Sequence, residues 1–315
     1  MKNRFLTYGL LAAAAVAMFA VTLMPLSAQL GGAAKDAAPG DAKAAAKGGG
    51  KGGGKGKGAP KGGPTPRIGT LTLNQPDFGG PGMWSVPYIT NMSGSITEGG
   101  VAAPCPTFQL SDPTQTPTPS CAPFNEHGKE VFARRRKTDS ATDPEGFCLP
   151  PGVPRMMYTP YPMKIIQTPD TFTFIFEGGA HVWREIPVAP KGWLTHQANF
   201  NPSYLGDSFG WWEGDTMVID SVGFNDRTWL DFAGHPHGEK LHVIERFTRL
   251  DALTLEHIAT IEDPDFYTQP WTVRITTGYQ PTGKILEYIC QENESDSKHQ
   301  LEYLKKLGIT RESIP

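Results

Sequence analysis

SFGWWEGDTMVIDSVGF, residues 208–224, is two strand-like runs joined by a corner. SFGWW and TMVID are separated only by Glu213, Gly214 and Asp215, short enough for a hairpin with Gly214 supplying a positive φ. Successive strand residues point to opposite faces, so Met217 and Ile219 share one side while Val218, Asp220 and Val222 share the other. The same alternation sends Trp211 and Trp212 to opposite sides of the sheet. Glu213, Gly214 and Asp215 then belong to a corner rather than to catalysis. Asp220 is different: a carboxylate among apolar neighbours rises in pKa unless a cation pairs with it. His237 and Arg246 are the candidate partners.

Working outward, the pattern repeats. KIIQTP, TFTFIFEGG, HVWREIPV, LHVIERFTRL, LTLEHIATIED, WTVRITTGY and KILEYICQEN are short runs bounded by Gly, Pro, Asp or Asn clusters. In TFTFIF, Phe172, Phe174 and Phe176 fall on one face. RLDALTLE predicts a second hairpin around Asp251 and Ala252, and EDPDFYTQPW a longer excursion. Glu177 and Arg184 flank a turn containing His181 and are expected to pair across it. About ten strands without intervening helices predict an all-β fold, an antiparallel β-barrel or closed sandwich. The strand count points to a lipocalin-like barrel. A final helix over SKHQLEYLKKLGI places Leu301, Leu304 and Leu307 at helical spacing, with Gly308 as its C-cap.

Upstream, the chain changes character. Residues 1–28 carry Lys2 and Arg4, an uncharged run from Phe5 to Met24, and a small-residue ending at Ala28. That is the layout of a signal peptide, with an uncleaved N-terminal anchor as the alternative. Residues 29–66 are rich in Gly, Ala and Lys and read as a disordered, basic tether. Residues 67–154 form an irregular lead-in with one short helix near Asn125–Lys137, whose basic end Arg134–Lys137 reads as solvated. Residues 155–315 form the β-domain. The whole chain has a formal charge of −3, and residues 1–66 hold nine basic and two acidic residues, which leaves −10 on the rest. An acidic body excludes nucleic acid as the partner of the folded domain. The basic tether retains a possible membrane or cell-wall contact.

The segments CLPPGVPR (148–155), KIIQTPD (164–170), GWWEGDTMVIDSVGFND (210–226), GHPHGEKLHVIERF (234–247), IEDPDFYTQPW (261–271) and LEYICQEN (286–293) together resemble an uncharacterised family of exported bacterial proteins, frequent in acidobacteria and some proteobacteria. The resemblance spans about residues 148–293. It implies export and a β-rich domain, and carries no activity or catalytic residue with it.

In an exported chain Cys105, Cys121, Cys148 and Cys290 are expected as disulfides. Of three possible pairings the reading favours Cys105–Cys121, which would staple a Pro-rich loop, with Cys148–Cys290, which would tie the domain's start to its last strand. No CxxC is present.

Three sets of residues carry candidate chemistry. In GHPHGEKLHVIER, His235, His237 and His242 are a candidate triad for a divalent metal, the only cofactor the sequence offers. Glu239 is too close and Glu245 too far for a cupin-like fourth ligand. Asp220 with His237 and His242 is a candidate acid–base set. Trp183, Trp211 and Trp229, with Arg246 and Glu245 as polar groups, would line a ligand site at a barrel mouth. There is no GxSxG elbow, GxxxxGK[ST] loop or HExxH. Three functions follow: a module binding an apolar or aromatic small molecule in the barrel, a periplasmic enzyme using Asp220 or a His-held metal, or a surface-tethered structural protein.

Overall fold

A computed structural model describes residues 62–69, 74–95, 97–98, 101–102, 121–138, 140–180, 182–292 and 296–309. All belong to one compact unit, residues 58–315. The signal segment, the tether up to Lys61, Cys105 and His181 lie outside the described residues. Residues 62–66, expected in the tether, are instead attached to the fold. Ala252 N–H donates to the Gly63 carbonyl at 2.8 Å and Thr65 Oγ1 to the Arg249 carbonyl at 3.1 Å.

The strands are β1 (Arg67–Gly69), β2 (Asn74–Pro76), β3 (Met83–Ser85), β4 (Thr97–Glu98), β5 (Val101–Ala102), β6 (Met163–Gln167), β7 (Thr171–Phe176), β8 (Trp183–Pro187), β9 (Asp207–Glu213), β10 (Thr216–Val222), β11 (His242–Asp251), β12 (Thr254–Glu262) and β13 (Trp271–Gln280). The helices are α1 (Glu126–Lys137) and α2 (Asp296–Lys306). Nine strands form one antiparallel sheet in the order β8-β7-β6-β3-β13-β12-β11-β10-β9. The all-β expectation holds. The closed barrel does not follow, because no ladder joins β8 to β9; one parallel bridge, Val188–Gly210, lies between those ends.

The hairpin read from residues 208–224 is β9–β10. Glu213 pairs with Thr216 and Gly214 turns with φ +62°. Trp212 faces inward, 5.7 Å from Phe78 and 6.4 Å from Phe172, while Trp211 lies on the outer face and donates Nε1–H to Glu213 at 2.9 Å. The second hairpin turns at Ala252 and Leu253, with Asp251 paired to Thr254. Inward rings fill the sheet's concave side: Phe174 packs 5.2 Å from Phe172 and 5.1 Å from Phe247. Burial of such aromatic area is the main driving term for a β-domain of this kind.

Three expectations change. The lead-in is not separate from the sheet, since β3 inserts between β6 and β13 and buries Trp84 there. The segment KILEYICQEN is not a strand; after β13 the chain runs unpaired across the lead-in. Glu177 and Arg184 do not pair. Arg184 alternates inward on β8 and meets Glu245, while Glu177 accepts from the Leu286 amide at 2.7 Å. In α1, Asn125 is the N-cap and accepts from Gly128 N–H at 2.8 Å. Its basic end is only partly solvated: Arg135 lies over the Trp229 ring at 4.7 Å, and burial lowers its pKa to about 10. Helix α2 buries Leu304, with Leu301 and Leu307 exposed, and Gly308 has the left-handed φ of +73° expected of a C-cap.

Candidate functional site

The sequence-derived candidates fall into separate surroundings. Asp220 lies on the outer face of β10, a placement the alternation alone did not decide. Its partners are neither His237 nor Arg246: Oδ1 accepts from His242 Nε2 at 2.8 Å and His196 Nε2 at 3.1 Å. His196 comes from the loop covering that face, and its Nδ1 meets Asp207 at 2.9 Å. Both ring nitrogens of His196 thus face carboxylates, and a neutral ring donates to only one of them. Burial pushes the Asp220 carboxyl up, but the hydrogen bonds from His242 and His196 outweigh it and the net shift is downward. His242 is raised, chiefly by its hydrogen bond to Asp220. Arg246 pairs with Glu213 at 2.8 Å instead.

The metal triad is not assembled. His235 is buried against Asp231 at 2.7 Å, which also accepts the Met92 and Gly234 amides. His237 donates Nδ1–H to the Gly238 carbonyl at 3.2 Å and accepts from the Thr228 hydroxyl at 2.6 Å. Burial first, and the nearby Arg135 charge, lower its pKa to about 4, so the ring is neutral at pH 7. His242 is on the outer face of β11. Among the described residues, no group of three or more His, Cys, Asp or Glu is arranged to hold a metal ion.

The tryptophan mouth is also dispersed. Trp183 is 65% exposed on the outer side of β8, Trp211 lies under Lys191 at 5.3 Å, and Trp229 is buried beneath Arg135. Glu245 faces the interior, fully buried. There it is salt-bridged to Arg184 through Oε2 and accepts from His257 Nε2 at 3.1 Å through Oε1. Arg184 also donates to Ser221 at 2.6 Å and Ser208 at 3.2 Å. Burial would push the Glu245 carboxyl up, but Arg184 and His257 hold it below its ordinary value. This network ties β8 to β9, β10, β11 and β12, and reads as structural.

The concave site lies elsewhere, at the seam between the lead-in and the segment after β13. Its floor follows from DPEGFCLPPGVPR. Asp143 caps a 3₁₀ turn at Pro144–Phe147, accepting from Glu145 N–H at 3.1 Å. A second turn, Arg155–Met157, places the Arg155 guanidinium against both acids of the first. It is bidentate on Asp143 at 2.8 and 2.6 Å and reaches Glu145 Oε2 at 2.7 Å. Thr159 Oγ1 donates to the same Oε2 at 3.3 Å, while Oε1 is buried with no hydrogen-bond partner. Burial, with the Asp143 charge adding to it, raises the Glu145 pKa against the opposing pull of Arg155.

The opposite wall is the chain after β13. The Cys148–Cys290 disulfide, Cα–Cα 5.7 Å across 142 residues, pins it to the lead-in. Such bonds persist in oxidising compartments, in line with an exported chain. Tyr161 OH donates to Tyr288 OH at 3.0 Å with their rings 4.9 Å apart. Gln300 of α2 lies over Gly146, so close that a Cβ there would fall 2.3 Å from its amide nitrogen. Between these segments is a pocket of about 470 Å³ walled by Tyr88, Tyr158, Tyr161, Phe232 and Tyr288, with Glu145 and Arg155 at its base. None of these was a sequence candidate. The signal available was the spacing Asp143-x-Glu145 with Arg155 ten residues on, inside a stretch read as loop, followed by the tyrosine-rich YTPYP.

Compared with protein-family models, curated proteins and solved structures, the chain matches none.

Proposed function

We propose that this protein is an exported binding module for a small ring-bearing molecule, held at the seam rather than inside the sheet. One observation carries the reading: a pocket of about 470 Å³ with five aromatic walls is lined by Glu145, Tyr158 and Gln300, each of which has a buried polar atom without a hydrogen-bond partner. Ligand sites are typically concave, largely apolar or aromatic, and supplied with a few convergent polar groups. Buried polar atoms are otherwise almost always paired. The sheet interior is filled by its own rings and offers no comparable argument. Native mass spectrometry of the full chain recovered from its own compartment tests this. A small molecule should be retained, at lower occupancy in Tyr88→Ala. Bare protein that also takes up nothing from a metabolite extract would remove the binding role.

A second reading is proton transfer on the outer face, favoured by Asp220 accepting from imidazoles on both sides. Turnover in a screen of hydrolase and isomerase substrates should vanish in Asp220→Asn and survive in Tyr88→Ala. Turnover that persists in Asp220→Asn excludes it.

A further inference from the structure

We infer that the ligand of the seam pocket is an organic cation, an ammonium with an N–H donor attached to a small ring. This rests on the binding role proposed above and specifies its chemistry. Among the residues lining the pocket, four carboxylates (Asp143, Glu145, Glu287 and Glu292) stand against a single guanidinium, Arg155. That guanidinium is already engaged by Asp143 and Glu145. An anionic ligand would meet like charge with no cation left to receive it.

The walls favour the same sign. Tyr88, Tyr158, Tyr161, Tyr288 and Phe232 border the space, and aromatic faces carry the negative end of the ring quadrupole. The excess of carboxylates in the lining then discriminates between cation and neutral ring. A carboxylate oxygen only accepts, so its guest must donate. A hydroxyl donates but leaves the excess negative charge of the lining uncompensated. An ammonium both donates and neutralises, and such charge-assisted bonds are about twice as strong as neutral ones.

Three probes of nearly equal size separate the possibilities: benzylammonium, benzyl alcohol and benzoate, titrated calorimetrically into the full chain at pH 7.5 and low salt. Benzylammonium should bind about tenfold more tightly than benzyl alcohol, with benzoate the weakest. Glu145→Gln should weaken benzylammonium about tenfold and leave benzyl alcohol within about twofold. Tyr88 is 59% exposed, so its truncation does not threaten folding. Tyr88→Ala should weaken benzylammonium about threefold, the scale of one partly exposed cation–π contact. Benzyl alcohol or benzoate binding as well as the amine overturns the cation and leaves the binding role standing. If none of the three binds, the cation is overturned, and the retained-ligand measurement judges the binding role separately.

Discussion

Removing Glu245 should unfold much of this protein's stability, and removing its partner along with it should restore part. Glu245 is fully buried on β11, and both of its oxygens are used: Oε2 by Arg184 and Oε1 by His257 at 3.1 Å. In Glu245→Leu the Arg184 guanidinium, 4% exposed, keeps only two neutral hydroxyls, Ser221 at 2.6 Å and Ser208 at 3.2 Å. Its Nε already has no partner. A buried cation stripped of its counter-ion costs about 3–5 kcal/mol, against a total stability of about 5–15 for a typical domain. Arg184→Met with Glu245→Leu removes both charges and puts apolar volume in their place, which is often close to neutral. Equilibrium urea denaturation at pH 7 with the disulfide intact measures all four corners of the cycle. The single variant should lose at least about 3 kcal/mol, and the coupling between the two sites should reach about 2. The comparison is valid where the m-values agree. A Glu245→Leu variant within about 1 kcal/mol of the native chain, or a double variant equal to the sum of the singles, would refute the ion pair as the interior's organising contact.

The remaining expectations concern pH and the disulfide. His237 titrates near 4 in the fold and near 6.5 unfolded, so the unfolded chain binds the extra proton between those values. Its contribution is therefore full above about pH 6.5 and falls by about 3 kcal/mol on going to pH 4, a share of the slope that His237→Asn should remove from urea midpoints taken across that range. His242 has the opposite sign: its contribution is complete below about pH 6.5 and is lost as pH rises through its raised folded value. Its NMR titration midpoint should lie above 6.5 and drop in Asp220→Asn; an unmoved midpoint rejects Asp220 as the cause. Cys148→Ser with Cys290→Ser opens a loop of 142 residues, worth about 5 kcal/mol in the chain-entropy account. Cys290 also lines the pocket, so the same variant should release the retained ligand under conditions where the sheet's circular dichroism is intact.

How much of this was legible depended on whether the information was local. The β9–β10 corner was readable because a strand's period is two and its turn needs a left-handed residue, both properties of neighbours in sequence. The grouping of Asp220 with Val218 and Val222 came from the same arithmetic, and so did the split of Trp211 and Trp212, but which face lies outermost did not. The partner of Asp220 did not, because His196 reaches it from a loop with no period, 24 residues away. Arg184 was assigned to Glu177 by proximity in the chain, and sheet curvature brought it to Glu245, 61 residues on. Strand Met83–Ser85 was missed because three residues cannot show a period. KILEYICQEN was misread for the complementary reason: its apolar residues line the seam instead of joining the ladder. The Cys148–Cys290 pairing, chosen among three because it ties the domain's start to its last segment, is the one seen.

Two glutamates, Glu245 buried and Glu145 partly buried, explain why recognition belongs to the seam and architecture to the sheet. Glu245 and Glu145 are both desolvated carboxylates beside an arginine, yet their oxygens differ. Glu245 has Arg184 on one and His257 on the other, so it is saturated from within the fold. Glu145 shares Oε2 between Arg155 and Thr159 and leaves Oε1 unpaired. The surroundings differ in the same direction. On the sheet's inner side the facing elements are rings in contact, Phe174 on Phe247 at 5.1 Å and Phe247 on His257 at 4.5 Å. A guest there would have to displace aromatic packing worth about 3–5 kcal/mol per ring. The seam is bounded by segments whose course is set by 3₁₀ turns and a disulfide, so a concavity forms there without loss from the core. Unsatisfied polar atoms and a ready volume occur together at the seam, where Glu145 Oε1, Gln300 Oε1 and Tyr158 OH belong to residues lining the pocket, and that coincidence separates a site from a strut.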